Sequence, residues 1–290
     1  MKICVIKDRL TNSITFINIQ KNMKNKDLAV LVLSCDAYKD LWAPYMQLFH
    51  KYWKDSQLNF YFCSDTLKAE DPSFTDIPVG KPVEWSARLL YAVEQIKEPY
   101  VLLLLDDYYI TKPVKEDELL RSVKVMEATG AGYCRIYPCP APTVDLPGHP
   151  EYGIFEKKSA YRTSTQATIW KTNTLRKFII PTESVWDFEL KGSDRSNEIT
   201  EPFIGLKLIN NNPILDDEHY PYHYLCTAVY KKKWMKEAAE LAKKENLELK
   251  TGYIKLENSM DYFRRKHYNS LPKVAQHIFD FLNVRLNHNK

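Results

Sequence analysis

The chain predicts an α/β fold, with a mostly parallel central sheet flanked by helices and a helical C-terminal extension. Three observations carry this prediction. Two apolar runs, Leu28 to Leu33 (LAVLVL) and Tyr100 to Leu105 (YVLLLL), contain no polar residue, as expected of strands buried on both faces. Segments with apolar residues at helical spacing alternate with these runs, as in a parallel sheet with crossover helices. Each early strand also stops at a short polar cluster: Ser34-Cys35-Asp36, Ser64-Asp65 and Asp106-Asp107. In open α/β sheets ligands bind beyond the carboxyl ends of the strands, so these clusters should line one crevice.

The elements follow in order. Residues 1–26 read as a short strand or hairpin, alternating over Ser13 to Ile19, and then a Lys/Asn-rich connection. After the Leu28 strand, Leu41, Tyr45, Leu48, Phe49 and Tyr52 recur at helical spacing, with Pro44 tolerated near the helix start. Asn59 to Cys63 is a second strand, and the proline-bearing stretch 66–82 reads as loop. Trp85, Leu89, Leu90, Val93 and Ile96 make a helix closed by Pro99, ahead of the Tyr100 strand. Glu116 to Ala128 reads as a helix and Gly130 to Tyr137 as a strand. The proline-rich stretch 138–158 reads as a long loop, either a lid or an acceptor wall. A strand is expected over Thr163 to Trp170, a short helix over Asn173 to Phe178, and a helix start at Val185. Beyond Lys231 the pattern to Lys250 is helical, and Pro272 to Leu286 is a further amphipathic helix.

The chain has 290 residues, 44% hydrophobic and 27% charged, which is ordinary globular composition. No Gly/Ser/Pro-rich linker divides it. The expected organisation is a main domain over 1–226, in halves 27–130 and 131–226, with an extension over 227–290. Charge marks that boundary: residues 227–290 hold fourteen Lys/Arg against seven Asp/Glu, or +7, whereas the whole chain is +4, leaving residues 1–226 at −3. An anionic partner near the C-terminus would account for this, and so would an ordinary solvated helix face. Acidic residues interleave with the basic ones there, which argues against nucleic acid. No run approaches the roughly 20 apolar residues of a membrane span, and Met1 to Lys7 lacks a signal-peptide core. The six cysteines (4, 35, 63, 134, 139 and 226) show no CxxC spacing. Reduced thiols and a cytoplasmic location are therefore expected.

The chemistry centres on Asp106-Asp107. Neighbouring residues of a strand face opposite sides, and two ionised carboxylates deep in a sheet would be costly unless paired or metal-bound. At a strand end they can turn into the crevice. There one or two carboxylates, with substrate phosphates, suit a divalent cation such as Mg²⁺ or Mn²⁺.

The Leu103 to Tyr109 segment resembles the acidic motif of GT-A-fold glycosyltransferases, with adjacent aspartates replacing the D-x-D spacing. The blocks Ser34 to Trp42, Trp85 to Leu89 and Leu105 to Tyr109 together resemble bacterial glycosyltransferases of capsule and O-antigen synthesis, over about 27–226. The resemblance implies a GT-A-like, Rossmann-like domain and a nucleotide-sugar donor, a UDP-sugar first. It implies a saccharide acceptor on a lipid-linked oligosaccharide, and a divalent metal. It places Ser34, Cys35, Asp36 and Asp65 at the base and ribose, and Arg88 at the diphosphate or paired with an aspartate. Asp107 is assigned to the metal and Asp106 to the ribose or a basic partner.

Three further groups are candidates. In Glu183 to Glu189, the resemblance calls for a general base at a helix start; Asp187 and Glu189 both qualify, and their spacing of two puts them on different helix faces. Asp187 could equally be a cap. Trp186 beside them suits a sugar platform, and Gln166 is placed with it on the acceptor side. In Asp216 to Tyr224, His223 or His219 could add a metal ligand. Lys231 and Lys233, in the run Lys231 to Trp234, could close over the departing diphosphate. The basic C-terminal helices could rest on an anionic membrane surface as a peripheral contact. A GxxxxGK[ST] loop, GxGxxG, GxSxG and HExxH are all missing from the sequence. The competing readings are a sugar-phosphate nucleotidyltransferase and a non-catalytic carbohydrate-binding protein.

Overall fold

The computed structural model describes residues 25–208, 220–225 and 227–267. The expected N-terminal hairpin, the helix over 272–286, and Asp216 to His219 lie outside these residues. The chain divides into two compact units, Met1–Cys226 and Thr227–Lys290.

The first unit is built on a nine-stranded mixed sheet. Its strands are β1 (Leu28–Leu33), β2 (Asn59–Ser64), β3 (Phe74–Pro78), β4 (Tyr100–Leu105), β5 (Tyr133–Arg135), β6 (Val144–Asp145), β7 (Tyr152–Ile154), β8 (Thr168–Lys171) and β9 (Phe203–Leu206), in the order β3-β2-β1-β4-β8-β5-β9-β7-β6. The helices are α1 (Trp42–Tyr52), α2 (Trp85–Gln95), α3 (Glu116–Thr129), α4 (Thr172–Phe178) and α5 (Val185–Arg195). The mixed sheet corrects the expectation of a mostly parallel one. Strands β3, β2, β1 and β4 are mutually parallel, but β8 runs antiparallel to both β4 and β5. The connection from β5 to β8 carries the short strands β6 and β7 instead of a crossover helix, so it returns the chain in the opposite direction.

β1 is buried along its whole length, because helices cover both faces. Ala29, Leu31 and Leu33 share a face with Val101 and Leu103, and join Leu89 and Val93 of α2 in the core. On the opposite face Trp42 and Phe49 of α1 meet Phe62 and Phe60 at ring separations of 5.1 and 4.9 Å. Further along, Trp170 is fully buried against Tyr133, Phe178 and Phe203, with centroids 4.7, 5.0 and 5.6 Å away. α3 ends at Gly130, whose φ of 69° is the left-handed stop that glycine adopts without strain.

Local corrections follow the same physics. The stretch 66–82 is not all loop: Phe74 to Pro78 forms an edge strand on β2 and buries Phe74 and Ile77. The strand expected over 163–170 begins at Thr168, since the residues before it are bound to side chains elsewhere.

The second unit is not wholly helical. Strands β10 (Val229–Tyr230), β11 (Lys233–Trp234) and β12 (Lys255–Leu256) form a small sheet, with α6 (Lys236–Glu245) and α7 (Ser259–His267). The helix expected from Lys231 therefore starts at Lys236. Lys231 and Lys232 instead form a two-residue turn in which Tyr230 pairs with Lys233. Among the described residues no helix is long and apolar enough to cross a membrane.

Candidate functional site

Register brings the three polar strand-ends together. Leu33 pairs with Cys63 on one side and with Leu105 on the other, so Ser34, Ser64 and Asp106 stand at one level of the carboxyl edge. The Ser34 hydroxyl donates to Asp106 and accepts from Trp42 Nε1 at 2.7 Å. Asp106 is buried, and burial first, then the charge of Asp107, pushes its carboxyl up to about 8, against the pull of Ser34. The two aspartates are therefore inequivalent: Asp106 turns inward to Ser34, and Asp107 is half-buried. Cys35 is half-buried too, its thiol raised by burial and by Asp106.

Asp36, Asp65 and Arg88 are engaged with one another. Asp65 Oδ1 takes both Arg88 Nε and Nη2, at 2.9 and 2.8 Å, in a buried ion pair. Its Oδ2 accepts the Asp36 N–H at 3.1 Å. The Asp36 carboxylate caps the backbone N–H groups of Thr66 and Leu67, and these bonds together with the Thr66 hydroxyl lower its pKa despite an opposing desolvation cost. These three side chains tie the ends of β1 and β2 to α2, which shapes the crevice wall.

On the other side of Asp107 the chain enters an aromatic cluster. The Tyr108 hydroxyl donates to the Thr165 carbonyl at 2.8 Å. The segment 223–225 runs antiparallel beside 109–111, through the Ile110–Tyr224 bridge and the bonds Thr111 N to His223 O and Leu225 N to Tyr109 O. It carries buried His223 and brings Tyr224 within 4.6 Å of Tyr108. Tyr224 Oη donates to Gln166 Oε1 at 2.7 Å and accepts the Ala167 N–H at 3.0 Å.

Of the two candidate bases, Asp187 closes a capping box, three residues after the cap residue Ser184. It accepts from the Ser184 hydroxyl at 2.7 Å and pairs with Lys191 at 2.9 Å. Lys191 first, then Ser184, lowers its pKa to about 2. Glu189 is buried and faces the 163–167 loop. Its Oε1 takes the Thr165 N–H at 2.6 Å, the Thr165 hydroxyl at 2.8 Å and the Ser164 hydroxyl at 3.1 Å. Trp186, on the same helix, is 68% exposed, which leaves its face available to a flat ligand.

Lys231 and Lys233 belong to the second unit. Lys233 Nζ lies 2.6 Å from both oxygens of Asp261, and Lys231 stands over the Tyr230 ring. Among the described residues no three His, Cys, Asp or Glu side chains cluster as a metal-binding group.

Sequence reasoning gave no role to Thr165, nor to Tyr108, Tyr224 and Trp42, although the last three lie in segments it singled out.

No family model matches the chain, and no curated protein sequence matches it. Solved structures show low-identity likenesses. Residues 1–349 of S. aureus TarS share 13% identity at a TM-score of 0.39, over 58% of this chain and 53% of that one. Galactosyltransferase LgtC, in complex with donor and acceptor sugar analogs, shares 10% at 0.35, over 75% and 79%. A cytidylyltransferase from Leptospira borgpetersenii serovar Hardjo-bovis shares 10% at 0.36, over 57% and 68%. The chain thus spans about half of the TarS fragment, and likenesses at this level assign no activity.

Proposed function

We propose that this chain is a GT-A-type glycosyltransferase that moves a sugar from a nucleoside diphosphate donor, a UDP-sugar first, to a saccharide hydroxyl. The observation that carries the reading is the linkage of two acidic centres through one residue. Asp107 stands at the carboxyl edge of the parallel strands, and the neighbouring Tyr108 is bonded to Thr165, which also holds Glu189. Two carboxylates joined through this link suit a reaction that needs cation-assisted departure of diphosphate and deprotonation of an incoming hydroxyl.

In this reading Asp107 holds the divalent cation, Mn²⁺ or Mg²⁺, with His223 as the second candidate ligand. When bound, that cation supplies positive charge to the departing diphosphate. Glu189 is the general base. All three of its donors bind Oε1, so Oε2 is assigned the acceptor proton. Asp187, with a pKa of about 2, is a poor base at neutral pH and keeps its capping role. Ser34, Cys35 and the wall braced by Asp36, Asp65 and Arg88 receive the nucleoside. Trp186 and Gln166 line the acceptor side. A base on one side of the sugar and a leaving group on the other give inversion. The acceptor proposed is a lipid-linked oligosaccharide of surface polysaccharide synthesis, met at the inner membrane face.

The test is nucleotide release from a panel of nucleotide sugars, with and without Mn²⁺, by the native chain and by Asp107→Asn. Metal-dependent release that Asp107→Asn loses supports the proposal. Pyrophosphate formed from a nucleoside triphosphate and a sugar phosphate would replace it with nucleotidyl transfer. Saccharide binding indifferent to nucleotide and metal would replace it with a binding role.

A further inference from the structure

We propose that the β10–β11 turn is a docking point for an anionic membrane surface. This inference is independent of the reaction. The turn residues Lys231 and Lys232 both have positive φ, 48° and 59°. Two-residue hairpin turns of this kind favour Asn-Gly, which fits the left-handed region with less strain. Lysine at both positions breaks the local preference, and departures of that sort collect at functional sites.

The surroundings point to the ligand. Tyr230 and Tyr253 are 45% and 53% exposed. Lys231 Nζ lies 5.3 Å from the Tyr230 ring centre and Lys232 Nζ 5.5 Å from that of Tyr253. The register Tyr230–Lys233–Lys255 puts Lys255 on the same sheet face, whereas Trp234 on the other face is fully buried. Lys233 is neutralised by Asp261. Among the described residues, Lys231, Lys232 and Lys255 have no carboxylate within ion-pair distance. The patch is therefore cationic and aromatic, within a unit of net charge +7.

Anionic lipid is the occupant that this chemistry fits. Tyrosine rings sit at headgroup level, and lysines bury their stems while holding the ammonium at the phosphates. Single-stranded nucleic acid would need the ring faces for base stacking, and here ammonium groups stand over them.

The experiment uses the full chain with vesicles of phosphatidylcholine alone, or of equal parts phosphatidylcholine and phosphatidylglycerol, read by co-sedimentation at rising salt. Binding is expected on the mixed vesicles and should fall with salt. The K231N/K232G variant gives the turn its preferred residues, so it preserves the fold while removing both charges. It should bind about 30-fold more weakly, from two lysines near a charged surface. Lys243 and Lys244 on α6 provide the comparison: K243Q/K244Q removes equal charge away from the turn and should change binding by less than about threefold. Equal losses in the two variants, equal binding to uncharged vesicles, or displacement from vesicles by a single-stranded oligonucleotide would each overturn the proposal.

Discussion

Thr165 holds Glu189 by two bonds to one carboxylate oxygen, from its N–H at 2.6 Å and its hydroxyl at 2.8 Å, while its carbonyl accepts from Tyr108. One residue thus fixes the acceptor-side carboxylate and the segment that follows the acidic pair. Under the proposed reaction, Glu189→Gln removes the base and should lower kcat by about 10²–10⁴-fold, with donor KM little changed. Thr165→Val keeps the N–H bond and loses the hydroxyl bond. It should lower kcat by about tenfold or more, and Thr165→Ser should restore it. Steady-state kinetics of the two series test the coupling.

Asp187 belongs to the helix cap, and its substitution should act on stability. Ser184→Ala should cost about 0.5–2 kcal/mol. Asp187→Asn should leave transfer within a few-fold of native. Its effect depends on pH in a definite direction. The folded-state pKa, about 2, lies below the ordinary value of 3.8, so the carboxylate's contribution is complete above about pH 4. That contribution is lost as pH falls through about 2. Urea unfolding of Asp187→Asn and native protein should therefore differ at pH 6 and converge toward pH 2.

The parallel half of the fold was legible because LAVLVL and YVLLLL are wholly apolar, strand-length and bounded by polar clusters, as strands of a sheet covered on both faces are. The convergence of Ser34, Asp65 and Asp106 was legible for the same reason, since parallel strands in register end together. The antiparallel half was legible only in part: strands were expected around β5 and β8, but their direction was not, and β6 and β7 are two and three residues long, too short to show a period. β3 was hidden by prolines at both ends of an edge strand. The turn at Lys231 was hidden because lysines at left-handed positions give no turn signal and continue the charge pattern of α6. The Thr165 junction left no trace either. Tyr108 reaches it through a backbone carbonyl across 57 residues of sequence, and such a bond constrains no residue type at the accepting end.

Ser34 is the hinge of the buried end of the site, because it serves Trp42 and Asp106 with one hydroxyl. Ser34→Ala leaves a buried indole N–H and a buried carboxyl without that partner, and should destabilise the chain by about 1–3 kcal/mol. Asp107→Asn, at a half-buried position, should change unfolding free energy by less than about 1 kcal/mol while abolishing metal-dependent donor turnover. If the two variants exchanged these phenotypes, the division of roles between Asp106 and Asp107 would be reversed.

Thiol reactivity gives an independent map of the crevice, because the thiolate is the reactive form and it must be reached by the reagent. Burial pushes the Cys63 thiol up to about 12 and raises that of Cys134 as well. Both should resist alkylation in the native protein at pH 8. Cys139 is exposed and should react first of the four described cysteines. Cys35 is half-buried, and burial followed by the neighbouring Asp106 raises its thiol, so it should react more slowly than Cys139 but before Cys63 and Cys134. A nucleotide seated against the end of β1 would cover Cys35 and leave Cys139 open. Peptide mapping after timed alkylation should therefore show saturating UDP slowing the alkylation of Cys35, with Cys139 unaffected. Equal protection of both cysteines, or of neither, would place the nucleotide elsewhere.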